Sequence, residues 1–276
     1  MAQTLTRKPM KKTSKSSIKS LPNDLLTELF VRVGSSSIND LYNVKLSCKE
    51  FREAVDDDYI YEFASMEKLP MIAWRASDGA ALFFERCKSS GNAEAFYRLG
   101  MVEYFGDGSH ESGLENLKKA VAKGHKEATY VYGIILLCEG GESKEKGMEL
   151  LCSMKNEKSL KGSSLAARRE RIKAALYRLW KINTKLVPKE ELGCHRLTCL
   201  DARAAKGYGW PLMGDEEDRM ACNLCRWEYQ VRQFYKQILF SQSKQDRHID
   251  LVIIQYRAWK DIYHRKGDEQ ALENRL

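Results

Sequence analysis

Apolar residues recur at helical spacing in the segment LPNDLLTELFVRV, residues 21–33. With a turn of roughly 100° per residue, five of them fall within about 140° of one another. These five are Leu25, Leu26, Leu29, Phe30 and Val33. Pro22 suits the first turn of a helix, where its missing N–H is not needed, and Gly34 with the serines after it favours a helix end. The pattern predicts an amphipathic helix that begins near Pro22.

A second apolar stripe follows, with members three or four positions apart: Leu41, Val44, Cys48, Phe51 and Val55. This spacing predicts one face of a second helix. Two helices in about 35 residues are too short to bury their own apolar faces well. Either another protein covers the first helix, or residues 59–90 fold back over it.

The whole segment from Ser20 to Val55 resembles an F-box. Its first half matches the F-box pattern at Leu21, Pro22, Leu25, Leu26, Leu29 and Val33, and its second half at Leu41, Val44, Cys48 and Phe51. Two small departures are Leu46-Ser47, where a valine often precedes the cysteine, and Phe51, where tryptophan is more frequent. The resemblance implies that these ten residues bind the Skp-type adaptor of a cullin-based ubiquitin ligase. Burial of each large apolar side chain would contribute about 1.5–3 kcal/mol before the costs of association.

Two central segments match each other at a shift of 33 residues: SGNAEAFYRLGMVEYFGDG (90–108) and KGHKEATYVYGIILLCEGG (123–141). A further amphipathic segment follows each copy, at 112–124 and 143–156. A period in the low thirties is typical of a two-helix solenoid unit. The small residues at matched positions would let neighbouring helices approach closely.

The repeated pattern of alanine, leucine or tyrosine, and glycine resembles the Sel-type relative of the tetratricopeptide repeat. Because about three units are needed for stability, residues 59–88 and 163–182 are expected to cap the array. The resemblance implies a concave face for a protein ligand, with Tyr97, Tyr104, Tyr130 and Tyr132 as candidate contacts. For Tyr97 and Tyr130, a place in the core between helices is the favoured interpretation.

Cysteines gather in two groups towards the C-terminus, CHRLTC (194–199) and ACNLC (221–225). Two close pairs of soft ligands suit a tetrahedral structural zinc site. The first choice of ligands is Cys194, Cys199, Cys222 and Cys225, with His195 as a substitute for either upstream cysteine. Buried free thiols are the alternative, because the upstream pair is spaced more loosely than a usual zinc knuckle.

The formal net charge of +8 is concentrated at the N-terminus. Six lysines and arginines and no acidic residue lie in the first twenty positions, which leaves +2 for the rest of the chain. This basic arm is expected to be disordered, as an import signal, a nucleic-acid tether or a plain solvated segment. The nearly neutral remainder argues against nucleic acid as a partner.

Composition narrows the class of protein further. The chain of 276 residues has 43% hydrophobic residues and only 5 prolines, which favours helices. Eight irregularly spaced cysteines indicate a reducing compartment, and no apolar run reaches the length of a membrane span, so we expect a nuclear or cytoplasmic protein without a membrane partner. Because no catalytic motif is recognisable, we expect a protein that is not an enzyme.

These observations predict an all-α protein that resembles plant F-box proteins with Sel-type repeats. The expected regions are a basic arm (1–19), an F-box (20–58), helical repeats (59–185), a Cys/His module (186–240) and a C-terminal helical tail (241–276). The implied function is substrate recognition in a Skp–cullin–F-box ligase, with an unknown target protein. The alternative is a nucleic-acid-binding or scaffold protein that uses the basic arm and a zinc module.

Overall fold

A computed structural model describes residues 18, 21–72, 77–106, 108–154, 165–179, 186 and 222–243. These residues form eleven helices and no strand, which confirms the predicted all-α class. The helices are α1 (Asn23–Ser36), α2 (Ile38–Ser47), α3 (Lys49–Val55), α4 (Asp58–Phe63), α5 (Asp78–Ser89), α6 (Ala93–Phe105), α7 (His110–Ala122), α8 (Lys126–Glu139), α9 (Gly141–Ser153), α10 (Leu165–Arg178) and α11 (Asn223–Ser243). None of the described helices is long and apolar enough to cross a membrane.

The chain divides into two compact units between Ser65 and Met66. The sequence placed this boundary after residue 58, and that position is wrong because α4 packs against α1. Ile60 of α4 is completely buried, and the N–H of Ser65 donates a hydrogen bond of 2.8 Å to the carbonyl of Gly34. Residues 59–65 therefore complete the N-terminal unit.

The stripe from Leu41 to Val55 lies on two helices, so the prediction of a single second helix is wrong. The backbone is extended at Cys48, between α2 and α3. In one continuous helix, Leu41 and Val55 would stand about 21 Å apart. Both side chains are buried in one core together with Phe30, which the break makes possible.

The turns that lead into the first helix of each repeat have the same construction. Gly91 and Gly124 have positive φ values of 84° and 81°, which a side chain would disfavour, and each follows the end of a helix. The next residue, Asn92 or His125, then caps the following helix with its side chain. Asn92 and His125 are 33 positions apart. The two repeats therefore match in the hydrogen bonds of their helix caps as well as in their helices.

Glycine brings the two helices of each repeat together. A β-carbon at Gly100 of α6 would lie 2.8 Å from Leu117 Cγ of α7, and one at Gly133 of α8 would lie 2.7 Å from Leu151 Cγ of α9. Such distances leave no space for a methyl group. The predicted close approach at matched small residues is confirmed.

Further helices pack onto the two repeats. On the N-terminal side, α5 packs against α6 and buries Phe83 and Phe84. On the C-terminal side, α10 adds Ile172 and Leu176 to the core of the repeats, and α11 adds Trp227. Helices α5 and α10 thus flank the array as expected, whereas residues 59–65 belong to the other unit.

Candidate adaptor-docking surface and repeat surface

The apolar stripe of α1 has an inner and an outer edge. Leu26 is 7% exposed and packs in the core of the N-terminal unit, whereas the next-door Leu25 is 55% exposed. Leu21 and Pro22 are also exposed, and Leu29 is half-buried. We call Leu21, Pro22, Leu25 and Leu29 the leucine edge. Helix α4 packs against the inner edge of α1, whereas Leu25 on the leucine edge is exposed to solvent.

Two of the ten residues implied for adaptor binding lie in the core instead. Leu26 and Leu41 are both buried within the N-terminal unit, so they support the surface and do not offer contacts themselves. Val33, Val44, Cys48 and Phe51 are half-buried, and of these Val44 and Phe51 pack against that core. Phe51 packs edge-on against Phe30, with ring centroids 5.2 Å apart.

In the described part of the N-terminal unit, five exposed apolar residues were missed as candidate contacts: Ile18, Tyr42, Leu46, Tyr59 and Phe63. Leu46 is 73% exposed and stands four positions after Tyr42 on α2. Tyr59 and Phe63 have the same spacing on α4, and their rings meet edge-on with centroids 5.1 Å apart. A search for apolar pairs at i, i+4 outside the core stripes could have found both.

An ion pair between Lys45 and Asp56 joins α2 to the end of α3. Burial lowers the pKa of Lys45, but its hydrogen bond to Asp56 and the nearby charges of Tyr61 and Asp56 outweigh burial and raise the pKa above its ordinary value. Lys45 therefore stays charged at neutral pH and holds the two helices together.

The four tyrosines of the repeats fall into two classes. Tyr97 and Tyr130 are buried, which places them in the core as the sequence favoured. The ring of Tyr97 stacks on His125 at 4.5 Å, and the hydroxyl of Tyr130 donates a hydrogen bond of 2.8 Å to Gln230 Oε1. Tyr104 and Tyr132 are half-buried and remain candidate contacts for a target.

A polar network joins the two repeats at the starts of their first helices. Glu94 accepts hydrogen bonds from Arg98 Nε at 2.5 Å and from His125 Nε2 at 2.7 Å. The other ring nitrogen of His125 accepts the N–H of Ala128 at 3.1 Å, so Nε2 carries the proton that is given to Glu94. Burial raises the pKa of Glu94, but these partners outweigh burial and hold the pKa below its ordinary value.

Arg98 also fixes the segment that opens the repeat unit. Its guanidinium donates hydrogen bonds to the carbonyls of Met66 (2.8 Å), Leu69 (3.1 Å) and Pro70 (3.1 Å). One buried arginine thus satisfies three carbonyls of an irregular segment, a task that needs the multiple fixed donors of a guanidinium group.

The cysteine and histidine cluster is described only in part. Cys194, His195 and Cys199 lie outside the described residues, and within the described part of the chain no group of three metal-ligating side chains occurs. Cys222 and Cys225 stand together at the start of α11, where Cys222 Sγ accepts the N–H of Cys225 at 3.3 Å. Elsewhere, burial raises the pKa of the Cys87 and Cys138 thiols to about 12, which keeps both neutral.

A small unit of short helices and a unit of helix-pair repeats together define an all-α repeat protein. A family model described as plant tetratrico peptide repeats matches residues 66–177. This match confirms the repeat resemblance drawn from the 33-residue shift. No solved structure matches the chain.

Three relatives from Arabidopsis thaliana identify the family. The protein named "Putative F-box protein At1g67623" is 36% identical over 214 residues, which cover 75% of this chain and 71% of the relative. "F-box protein At2g35280" is 31% identical over 134 residues, or 48% and 80% of the two chains. "F-box protein At1g67340" is 28% identical over 138 residues, or 49% and 36%. The chain belongs to the F-box protein family, as the resemblance of residues 20–55 predicted.

Proposed function

We propose that the chain is the substrate-receptor subunit of a Skp–cullin–F-box ubiquitin ligase, acting in the nucleus or cytoplasm. The observation that supports this role most strongly is the leucine edge of α1 in a member of the F-box family. In the proposed complex, the N-terminal unit docks a Skp-type adaptor, and through it a cullin, while the repeat unit holds the target protein. The receptor does no chemistry itself and raises the effective concentration of the target near a ubiquitin-charged enzyme.

The geometry of α1 suits such docking because the helix is fixed before a partner arrives. Leu26 and Phe30 anchor one edge in the core, so the leucine edge is presented by a helix that is already ordered. A preformed surface avoids the cost of ordering a segment on binding. Association would then gain most of the free energy of burying the exposed leucines.

The test is co-purification of the Skp-type adaptor with the full chain after co-expression. The double variant Leu25→Asp plus Leu29→Asp should abolish co-purification, because two carboxylates would have to be buried without partners. Leu82→Asp is the matched control, since Leu82 of α5 is an exposed leucine of the repeat unit. Adaptor capture that is unchanged in the double variant, with the control intact, would rule out docking through the leucine edge.

We also propose a structural zinc ion held by Cys222 and Cys225 together with Cys194 and Cys199, or with His195 in place of either. Two observations support it: the spacing of the cysteines, and the hydrogen bond from the backbone to Cys222 Sγ, which suits a thiolate. A bound ion would join two segments that are distant in sequence. Elemental analysis of the purified chain should find one zinc per molecule, and less than about half a zinc would contradict the site.

A further inference from the structure

The first helices of the two repeats, α6 and α8, each have a second buried face. It is distinct from the glycine face that packs against α7 or α9. On α6 and α8 this face lies about 100° around the helix from Gly100 and Gly133. It consists of Tyr97, Met101 and Phe105 on α6 and of Tyr130, Ile134 and Cys138 on α8, each pair 33 positions apart. We call these six residues the repeat face.

Helix α11 lies against the repeat face. The ring of Phe234 has its centroid 5.8 Å from that of Phe105 and 6.3 Å from that of Tyr130. One turn earlier, Gln230 accepts the hydroxyl of Tyr130. A single helix thus contacts both repeats at once, through Phe105 at the end of α6 and Tyr130 near the start of α8.

The side chains that α11 buries follow the spacing of a helix bound in a groove. Trp227, Val231 and Phe234 are buried and stand at i, i+4 and i+7. Peptide helices that bind hydrophobic grooves use anchors at this spacing. Large aromatic residues are also the anchors that contribute most to binding at protein interfaces.

Helix α11 lies outside the segment that matches the repeat family. The match ends at residue 177, within α10, whereas α11 begins at Asn223. The repeats are therefore defined without α11, which is added to them from a later part of the chain.

A buried polar group of α11 lacks the kind of partner that buried polar groups between α6 and α7 have. Within the described part of the chain, Trp227 Nε1 is buried and makes no hydrogen bond. Between α6 and α7, by contrast, the buried Glu103 accepts hydrogen bonds from Ser112 and Asn116. A buried N–H without a partner costs free energy whenever α11 is seated, so this contact is weaker than its apolar area alone implies.

We propose that the repeat face is the target-binding groove and that α11 is its resident ligand. A target then binds by displacing α11 with an amphipathic helix that carries aromatic anchors at i and i+7. This inference rests on the proposed role as a substrate receptor and adds to it the chemical class of the target segment. The apparent affinity for a target is reduced by the fraction of molecules in which α11 is seated.

The direct test uses the full chain and a fluorescently labelled peptide of residues 222–243. In the variant Trp227→Ala plus Phe234→Ala, the chain's own helix no longer competes, so fluorescence anisotropy should show peptide binding at least tenfold tighter than to the wild-type chain. Tyr177→Ala, which changes an exposed aromatic residue of α10, should leave peptide binding at the wild-type level. A peptide with both aromatic anchors replaced by alanine should not bind.

Two results would overturn the proposal. If the double variant loses cooperative unfolding of the repeat unit, α11 is an integral part of the core. If the variant is folded and binds the peptide no better than the wild-type chain does, the repeat face is not a groove for a helix. Hydrogen exchange of the wild-type chain gives a check without mutation, because α11 should open at lower free energy than α6 and α8, and equal protection would also contradict the proposal.

The peptide assay contains no adaptor. If the peptide assay fails, the result of adaptor co-purification is unchanged. If co-purification fails, the result of the peptide assay is unchanged, so the two proposals can be rejected separately.

Discussion

The leucines of the N-terminal unit and those between the paired helices of the repeats differ in how they are packed. The N-terminal unit leaves Leu21, Leu25 and Leu46 exposed, although its helices are short and strongly patterned. The repeat unit places Leu117 and Leu151 directly against glycines and leaves no space around them. A small unit cannot enclose every apolar side chain, whereas stacked repeats bury one another's faces. The exposed leucines of the N-terminal unit thus lie on its own short helices, whereas the exposed Leu82 of the repeat unit lies on α5, outside the two matched repeats.

The largest effect on the free energy of unfolding is expected when two adjacent leucines of α1 are replaced in turn and compared. Leu26→Ala should lower the free energy of unfolding of the N-terminal unit by about 2–4 kcal/mol, because it leaves a cavity in the core. Leu25→Ala should change it by less than about 0.5 kcal/mol, because Leu25 contributes little to that core. Urea unfolding measures both. Equal losses would show that the leucine edge is part of the core and would remove the contrast between the two units.

A smaller effect on the free energy of unfolding is expected at the tight contact between α6 and α7. Gly100→Ala would set a methyl group 2.8 Å from Leu117 Cγ and 2.9 Å from Leu117 N, and should destabilise the repeat unit by about 1–3 kcal/mol. Gly79→Ala is the matched control, because a β-carbon there meets only Ser77 Oγ at 3.9 Å. That control should be neutral or stabilising by up to about 1 kcal/mol, since alanine is the better helix former. Both are measured by urea unfolding, and similar results at the two glycines would argue against the tight α6–α7 contact.

The smallest effect concerns the polar network of the repeats and its response to acid. Because the pKa of Glu94 in the folded chain lies below the ordinary value of 4.5, its carboxylate stabilises the fold above that value. This contribution is lost as pH falls through the lowered pKa. The difference in unfolding free energy between the wild-type chain and Glu94→Gln should therefore shrink between pH 5 and pH 3. A difference that stays constant over this range would show that the charge of Glu94 does not contribute to the stability of the fold.

Local patterns in the sequence predicted much of the fold, and features set by tertiary packing escaped them. The 33-residue shift located α6 to α9, because each repeat encodes its own turn and glycine contact. The stripe of α1 was correct as a helix, but spacing alone could not tell the inner edge at Leu26 from the outer edge at Leu25. The break at Cys48 has no proline or glycine to mark it, and only the need to bring Val55 into the core explains it.

The candidate site was predictable to a similar degree. The F-box resemblance led to the leucine edge, but it also included Leu26 and Leu41, which are buried in the core of the N-terminal unit. The contact of α11 with the repeats could not be predicted, because a hydrogen bond between Tyr130 and Gln230 spans 100 positions of the chain. No local pattern encodes such a pairing.

The most direct test of the central claim is a calorimetric titration of the full chain with a purified Skp-type adaptor. We expect Leu25→Asp plus Leu29→Asp to weaken binding at least about a hundredfold, since each lost leucine contact is worth roughly 1.5–3 kcal/mol. Leu82→Asp should bind the adaptor as the wild-type chain does. Affinities of the wild-type chain and the double variant within about threefold of each other, less than 1 kcal/mol, would contradict the claim that the leucine edge is the docking surface.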